Sequence, residues 1–214
     1  MPRVRLSIAM SIDGFVAGPQ QSVEHPLGIG GMQLHAWAFA LASWRKPHGL
    51  EGGEVNASSA VVDELLDGVG ATVMGRNMFG GHPGPWKADA PWSGWWGDSP
   101  PFHHPVFVVT HFAREPLALA GGTTFTFVTE GVTAAVAQAK QAAQGKIVSL
   151  AGGAAVARQA LLGGQVDEMV IHLVPVLLGA GERLFEGVPD LQGLTLTRTV
   201  AAPKAAHLFF RARV

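Results

Sequence analysis

Two adjacent glycines at the end of an apolar run, directly before a helical pattern, are the residues whose spacing most clearly allows chemistry. In Lys146-Ile-Val-Ser-Leu-Ala-Gly152-Gly153-Ala154 the glycines let backbone amides approach an oxyanion, and the free amides and dipole of a helix start favour negative charge. The same pair also suits a tight strand-to-helix turn with no ligand. Gly75 and Arg76 follow a second apolar run at 71–74, and Thr110 and His111 close a third at 106–110. Ligands of open α/β sheets bind at the carboxyl ends of strands. A guanidinium, a hydroxyl and an imidazole there suit a phosphate monoester such as a nucleotide 2′-phosphate. The plainer role for Arg76 is an ion pair with a surface carboxylate.

Other polar residues admit two roles each. Asp13, before Gly14, is a turn residue or a proton-handling carboxylate. His172 lies within a strand pattern and is either structural or part of a site. Glu182 and Arg183 follow the Gly179-Ala-Gly181 turn and are pocket residues or solvated loop charges. His82, His103, His104 and His111 lack the spacing of a metal site and have no cysteine partners, so no metal is expected. The Gly28-Ile-Gly30-Gly31 run follows no strand pattern, and the 152–153 turn lacks the third glycine and downstream acid of a Rossmann fingerprint.

These residues need a sheet with helices to position them. Val4, Leu6, Ile8 and Met10 alternate with polar or small residues, which predicts a first strand. A helix is expected over 32–44, which is apolar and free of Gly and Pro, and another after a Ser58 or Ser59 cap. Strands at 71–74, 106–110, 124–128 and 146–150 then alternate with helices at 132–144 and 154–162, which argues a largely parallel sheet. A long strand at 168–177 follows, and two more at 194–200 and 207–214, separated by Pro203, predict an antiparallel hairpin. Residues 81–105, dense in Gly, Pro and Trp, read as an ordered insertion without regular elements.

The chain has 214 residues, 48% of them hydrophobic, which is ample for one core, so a single domain over 1–214 is expected. The net charge of −1, from 15 basic and 16 acidic residues, leaves no footprint for nucleic acid or an anionic membrane. A small-molecule ligand is the expectation. The chain has no cysteine, its start lacks an export signal, and no apolar run reaches the roughly 20 residues of a membrane span. A cytoplasmic protein is therefore expected.

Several of these pieces occur in a family order. Ser-Ile-Asp13-Gly14 ends the first strand; Val-Met-Gly75-Arg76-Asn-Met-Phe79, Val-Val-Thr110 and Ala-Gly152-Gly153 follow; Val-Asp-Glu-Met-Val-Ile-His172-Leu-Val-Pro175-Val-Leu-Leu-Gly179 comes last. Together they resemble the dihydrofolate reductase superfamily, and within it the reductase domain of bacterial riboflavin biosynthesis. The resemblance implies a three-layer α/β fold with a central, mostly parallel sheet and an antiparallel C-terminal hairpin. It implies NADPH as cofactor, with Gly152, Gly153 and Ala154 at the pyrophosphate. Gly75, Arg76, Thr110 and His111 would lie near the adenosine and its 2′-phosphate, and Ala9 and Met10 against the nicotinamide. It also implies Asp13 and His172 as catalytic candidates, a homodimer, and hydride transfer to a C=N or C=O carbon, as in (phosphoribosylamino)uracil reduction; Glu182 and Arg183, from their place after the Gly179-Ala-Gly181 turn, are the candidates to meet the substrate. Two departures narrow this. Residues 32–44 contain neither Asp nor Glu to hold a pterin, so folate reduction is not expected, and the zinc deaminase half is absent from these residues. The alternative is a nucleotide-binding module on the same fold without turnover.

Overall fold

In the computed structural model, which describes residues 1–89, 91–188 and 193–212, the alternation at the N-terminus becomes strand β1, Val4–Ser11. After a turn at Asp13-Gly14 comes β2, Phe15–Ala17. Residues 32–44 do not form the expected single helix. They break into a 3-10 turn at Gly31–Leu34 and two short helices, α1 (Ala36–Phe39) and α2 (Ala42–Arg45). The break is a tertiary effect, because Leu41 is extended (φ −78°, ψ 140°) and pairs with Glu54, which donates to Ala40 O and accepts from Ala42 N.

Helix α3, Ala57–Leu66, is capped by Asn56 and not by the expected Ser58 or Ser59. Asn56 Oδ1 accepts from Ser58 N, and Ser59 Oγ accepts from Asn56 N, a reciprocal box worth about 1 kcal/mol. Strand β3 is Val69–Gly75, followed by the single turn α4, Arg76–Phe79. Beyond the Trp-rich segment come β4 (Pro105–Val109), β5 (Leu117–Ala118), β6 (Thr124–Val128), α5 (Val132–Ala142), β7 (Ile147–Gly152) and α6 (Ala154–Leu162). The chain continues through β8 (Glu168–Val174), shorter than the expected 168–177, and β9 (Glu182–Arg183). It closes with β10 (Leu194–Ala202) and β11 (Ala205–Ala212); residues 213–214 of the expected last strand lie outside the described residues.

Among the described residues nine strands form one sheet, in the order β10-β11-β8-β1-β7-β3-β4-β6-β5. The six from β8 to β6 run parallel, while β11, β10 and β5 are antiparallel additions. One face carries Leu6, Val73, Val148 and Ile171 under α5 and α6, whose alanines Ala135, Ala139, Ala157 and Ala160 are fully buried. Small residues on these helices let them lie close to the strands. The other face is covered by Trp37 and Leu41 over β1 and β8, and by Val61 of α3 against Val170 and Phe209.

The Trp-rich segment covers the rest of that second face. Trp86, Trp92, Trp96 and Phe102 pack on Met74, Phe79, Val106, Phe125 and Phe127. Ring pairs such as Phe79–Phe127 and Trp86–Phe127 meet edge to face with centroids 5.3 and 5.0 Å apart. Each such pair contributes about 0.5–1.5 kcal/mol beyond burial. Segment 81–105, of which Ala90 is not described, is thus a layer of the fold with no helix or strand before β4 among its described residues.

Candidate functional site

The chain crosses β7 to reach β3 from β1, then returns through α5 and α6 to flank β1 on both sides, so β1 and β7 meet at the switch in strand order. Crevices at such points bind ligands. The β1–β7 ladder stops at Leu6–Leu150, while β1–β8 continues to Ser11–Val174. A register shift between Val73 and Met74 marks the β3–β7 ladder just before Gly152. The two central strands therefore part towards their carboxyl ends, at Ala9 and Met10 on one side and Gly152 on the other. Ala9 is buried and packs with Leu34 and Trp37.

Gly153 precedes α6 with an ordinary φ of −77°, and a Cβ built on it would meet nothing within 4 Å. The protein's own packing does not require glycine there, which leaves open space in front of the helix amides. Gly75 lies beside it: a Cβ on Gly75 would stand 3.5 Å from Gly153 N. The carboxyl end of β3 thus leads from the α6 N-terminus directly to Arg76. Gly28 differs, since a Cβ there would come within 2.0 Å of Gly18 O, so that glycine serves loop packing.

Arg76 forms no ion pair with a carboxylate among the described residues. Its guanidinium lies 3.7 Å over the Trp86 ring, Nη2 donates to His82 O at 2.8 Å, and Nε is buried without a partner among the described residues. Arg114 approaches the same ring at 5.0 Å and donates to Trp92 O at 2.6 Å. Burial, and after it the Arg114 charge, hold the Arg76 pKa below its ordinary value. These groups line a cavity of about 410 Å³ together with Lys87, His82 and Trp92. Thr110 is buried, its hydroxyl accepting from Phe112 N, and His111 is exposed.

The structure places Asp13 at a junction. Its carboxylate accepts from Ser11 Oγ (2.5 Å), Gly179 N (2.7 Å) and Leu178 N (3.2 Å), tying the end of β1 to the segment after β8. The Ser11 hydrogen bond leads the causes that bring its pKa to about 2, so it is ionised at neutral pH. Arg183 Nη1 donates to Asp13 O, and its guanidinium lies 4.3 Å over Phe15. Glu182 pairs with Arg158 of α6 at 3.6 Å. Both belong to β9, which pairs with β2. Asp13, Glu182 and Arg183 are therefore neighbours.

His172 is buried beneath Trp37, as is His207. His172 Nε2 meets Ser7 Oγ at 3.0 Å, the two Nδ1 atoms are 2.7 Å apart, and His207 Nε2 meets Ser58 Oγ at 2.9 Å. One Nδ1 must donate and the other accept, so the accepting ring is neutral, and with both rings neutral the chain of four groups runs in one direction or the other. Burial, followed by the neighbouring histidines, brings His172 to about 3, below its ordinary value; His207 is lowered too.

An acid sensitivity follows. A histidine whose folded pKa is depressed contributes no penalty above its unfolded value near 6.5, and stability is lost as pH falls from there towards the folded value. His172 alone should cost about 2 kcal/mol between pH 6.5 and 5. His35 and His104, each lowered to about 4 chiefly by burial, add to the loss. Urea unfolding at pH 7.5 and 5.0 should show the drop, and equal stability at the two would contradict a neutral buried pair.

Of the sequence-derived residues, the structure brings together Gly75, Arg76, Gly152, Gly153 and Ala154 beside the end of β1, and separately gathers Asp13, Glu182 and Arg183. Sequence reasoning missed Arg114, Trp86 and His207. An arginine five residues beyond the end of β4 carries no local signal, and the Trp86 indole packs as it does only when the segment folds back on β6.

Residues 2–208 match the family model described as the RibD C-terminal domain. Uncharacterized protein YwjB of Bacillus subtilis (strain 168) is 33% identical over 85 residues, which span 40% of this chain and 48% of that relative. Solved structures share the fold. A pyrimidine reductase-like protein of Corynebacterium diphtheriae has a TM-score of 0.57 at 16% identity, with 100% of this chain and 92% of that chain covered. Acinetobacter baumannii RibD has a TM-score of 0.57 at 18% identity, covering 100% of this chain and 58% of that one. The Thermotoga maritima diaminohydroxyphosphoribosylaminopyrimidine deaminase/5-amino-6-(5-phosphoribosylamino)uracil reductase has a TM-score of 0.56 at 13% identity, covering 99% and 57%.

Proposed function

The chain belongs to the RibD C-terminal domain family, and we propose that it is an NADPH-dependent, cytoplasmic reductase of a small heterocyclic or carbonyl substrate, of the (phosphoribosylamino)uracil reductase type. The observation that carries the reading is the continuous anion track at the strand ends: open space before the α6 amides at Gly153, Gly75 against it, and then Arg76 without a carboxylate partner among the described residues. A diphosphate fits the first part, and the buried, unpartnered Arg76 Nε suits an added phosphate oxygen. These residues fit NADPH.

NADPH when bound supplies a hydride for an electrophilic C=N or C=O carbon. The protein's part is to position and enclose. Gly152, Gly153 and Ala154 would face the pyrophosphate; Arg76, with Thr110 and His111 at the next strand end, would hold the 2′-phosphate. The parted β1–β7 edge at Ala9 and Met10 would take the nicotinamide, with Leu34 and Trp37 excluding water. Asp13, ionised and hydrogen-bonded by two amides, would set the rim where Glu182 and Arg183 meet the substrate. His172 touches the partly exposed Ser7 hydroxyl, so a proton from it would reach substrate through Ser7 Oγ.

Following NADPH oxidation with pterins, ribosylamino-pyrimidines and small carbonyls tests the activity. A pyrimidine or carbonyl that consumes NADPH stoichiometrically is the expected result; NADPH binding with no turnover of any of them would favour a nucleotide-binding module. No helix among the described residues is long and apolar enough to cross a membrane.

A homodimer belongs to the same proposal. Among the described residues strand β10 is a free edge of nine residues, and beyond α6 the face bearing Leu196, which is 54% exposed, and the partly buried Phe210 and Leu208 is incompletely covered by them. A second copy would cover this edge and face. Light scattering at micromolar concentration is expected to give twice the chain mass, and a monomer would contradict it.

A further inference from the structure

We propose that Arg114 and Lys87 complete, with Arg76, a phosphate clamp organised on the Trp86 ring, and that this clamp rather than Arg76 alone reads the phosphate monoester at the adenosine end of NADPH. It rests on the NADPH reading above and assigns a role to the Trp-rich segment. That segment walls the Arg76 cavity.

Two guanidinium groups share one indole, at 3.7 Å for Arg76 and 5.0 Å for Arg114, and Arg114 also lies 5.1 Å over Phe127. Arginines brought this close repel unless an anion lies between or beside them. Here neither has a carboxylate partner among the described residues, and only the carbonyls of His82 and Trp92 and the ring faces compensate them. The arrangement is therefore charged before any ligand arrives, and a dianion would relieve it. Arg76 Nε, buried and without a partner, is one donor left over.

The cavity they line, about 410 Å³, also presents exposed Lys87 and the rings of Trp86 and Trp92. Cations with planar apolar walls suit a phosphorylated nucleoside better than free phosphate, because the base gains stacking area. The cavity begins one residue after Gly75, which lies against Gly153. A ligand whose diphosphate sits before α6 can thus place a further phosphate here, whereas NADH offers only a ribose diol.

Calorimetric titration of the wild type, Arg114→Ala and Lys87→Ala with NADPH, NADH and adenosine 2′,5′-bisphosphate tests the clamp. Arg114→Ala should weaken both 2′-phosphorylated ligands about 10- to 100-fold, as for loss of a charge-assisted contact, and NADH less than about threefold. Arg114→Lys should recover part of the loss. Lys87 is exposed, so Lys87→Ala keeps the fold and should cost about three- to tenfold, again only for the phosphorylated ligands; it decides the matter if Arg114→Ala lowers the ligand-free melting temperature. Equal losses for NADPH and NADH, or none, overturn the clamp alone. A wild type that binds no NADPH overturns both the clamp and the cofactor reading.

Discussion

Gly153→Ala is expected to fold with a ligand-free melting temperature within about 2 °C of wild type and to lose most of the stabilisation that NADPH confers. The first half follows from the apo geometry. Gly153 has a φ any residue adopts, and its added Cβ would contact no protein atom within 4 Å. The second half follows from the proposed seat of the pyrophosphate in that space. Amides that point at a phosphate from a helix start sit within hydrogen-bonding distance of its oxygens, and a methyl group projecting there competes for the same volume. At 100 times the dissociation constant a ligand stabilises by about 2.7 kcal/mol. For a chain of this size that is about 5–10 °C of melting temperature. Thermal scans of both proteins with and without NADPH check it. A variant that melts much earlier alone yet keeps the full NADPH shift would show that the glycine serves the turn only, and would remove the main structural support for the cofactor site.

Replacing Arg76 by Ala should separate the two nicotinamide cofactors. The guanidinium is held over Trp86 and by His82 O, with no carboxylate among the described residues to satisfy it. A charge-assisted contact to a phosphate contributes about 1.5–3 kcal/mol, so NADPH affinity should fall about 10- to 100-fold. NADH lacks the dianion and should change little. The stability cost is smaller, about 0.5–1 kcal/mol for the cation–π contact. Parallel loss of both cofactors would instead place Arg76 at the shared pyrophosphate.

Regular elements were legible where local pattern and tertiary context agree. Strand β6 and helix α6 fall within the expected limits, and β1 spans the alternating residues from Val4 to Ser11. The pattern failed over 32–44, because nothing local shows that Leu41 will pair with Glu54. The short β2–β9 pair was equally invisible, since two or three residues carry no periodicity. For the candidate site, the positions of the glycines and Arg76 could be read because they lie at strand ends that the local pattern marks. Arg114 and the His172–His207 contact could not, since each depends on residues 28 and 35 positions away respectively, Trp86 and His207.

The central claim is that the strand ends bind NADPH and discriminate it from NADH, and calorimetric titration of the wild-type protein with each cofactor tests it most directly. The geometry of Gly153, Gly75, Arg76 and Arg114 predicts one NADPH per chain, bound at least about tenfold more tightly than NADH. Equal affinities for the two, or binding of neither, would contradict it.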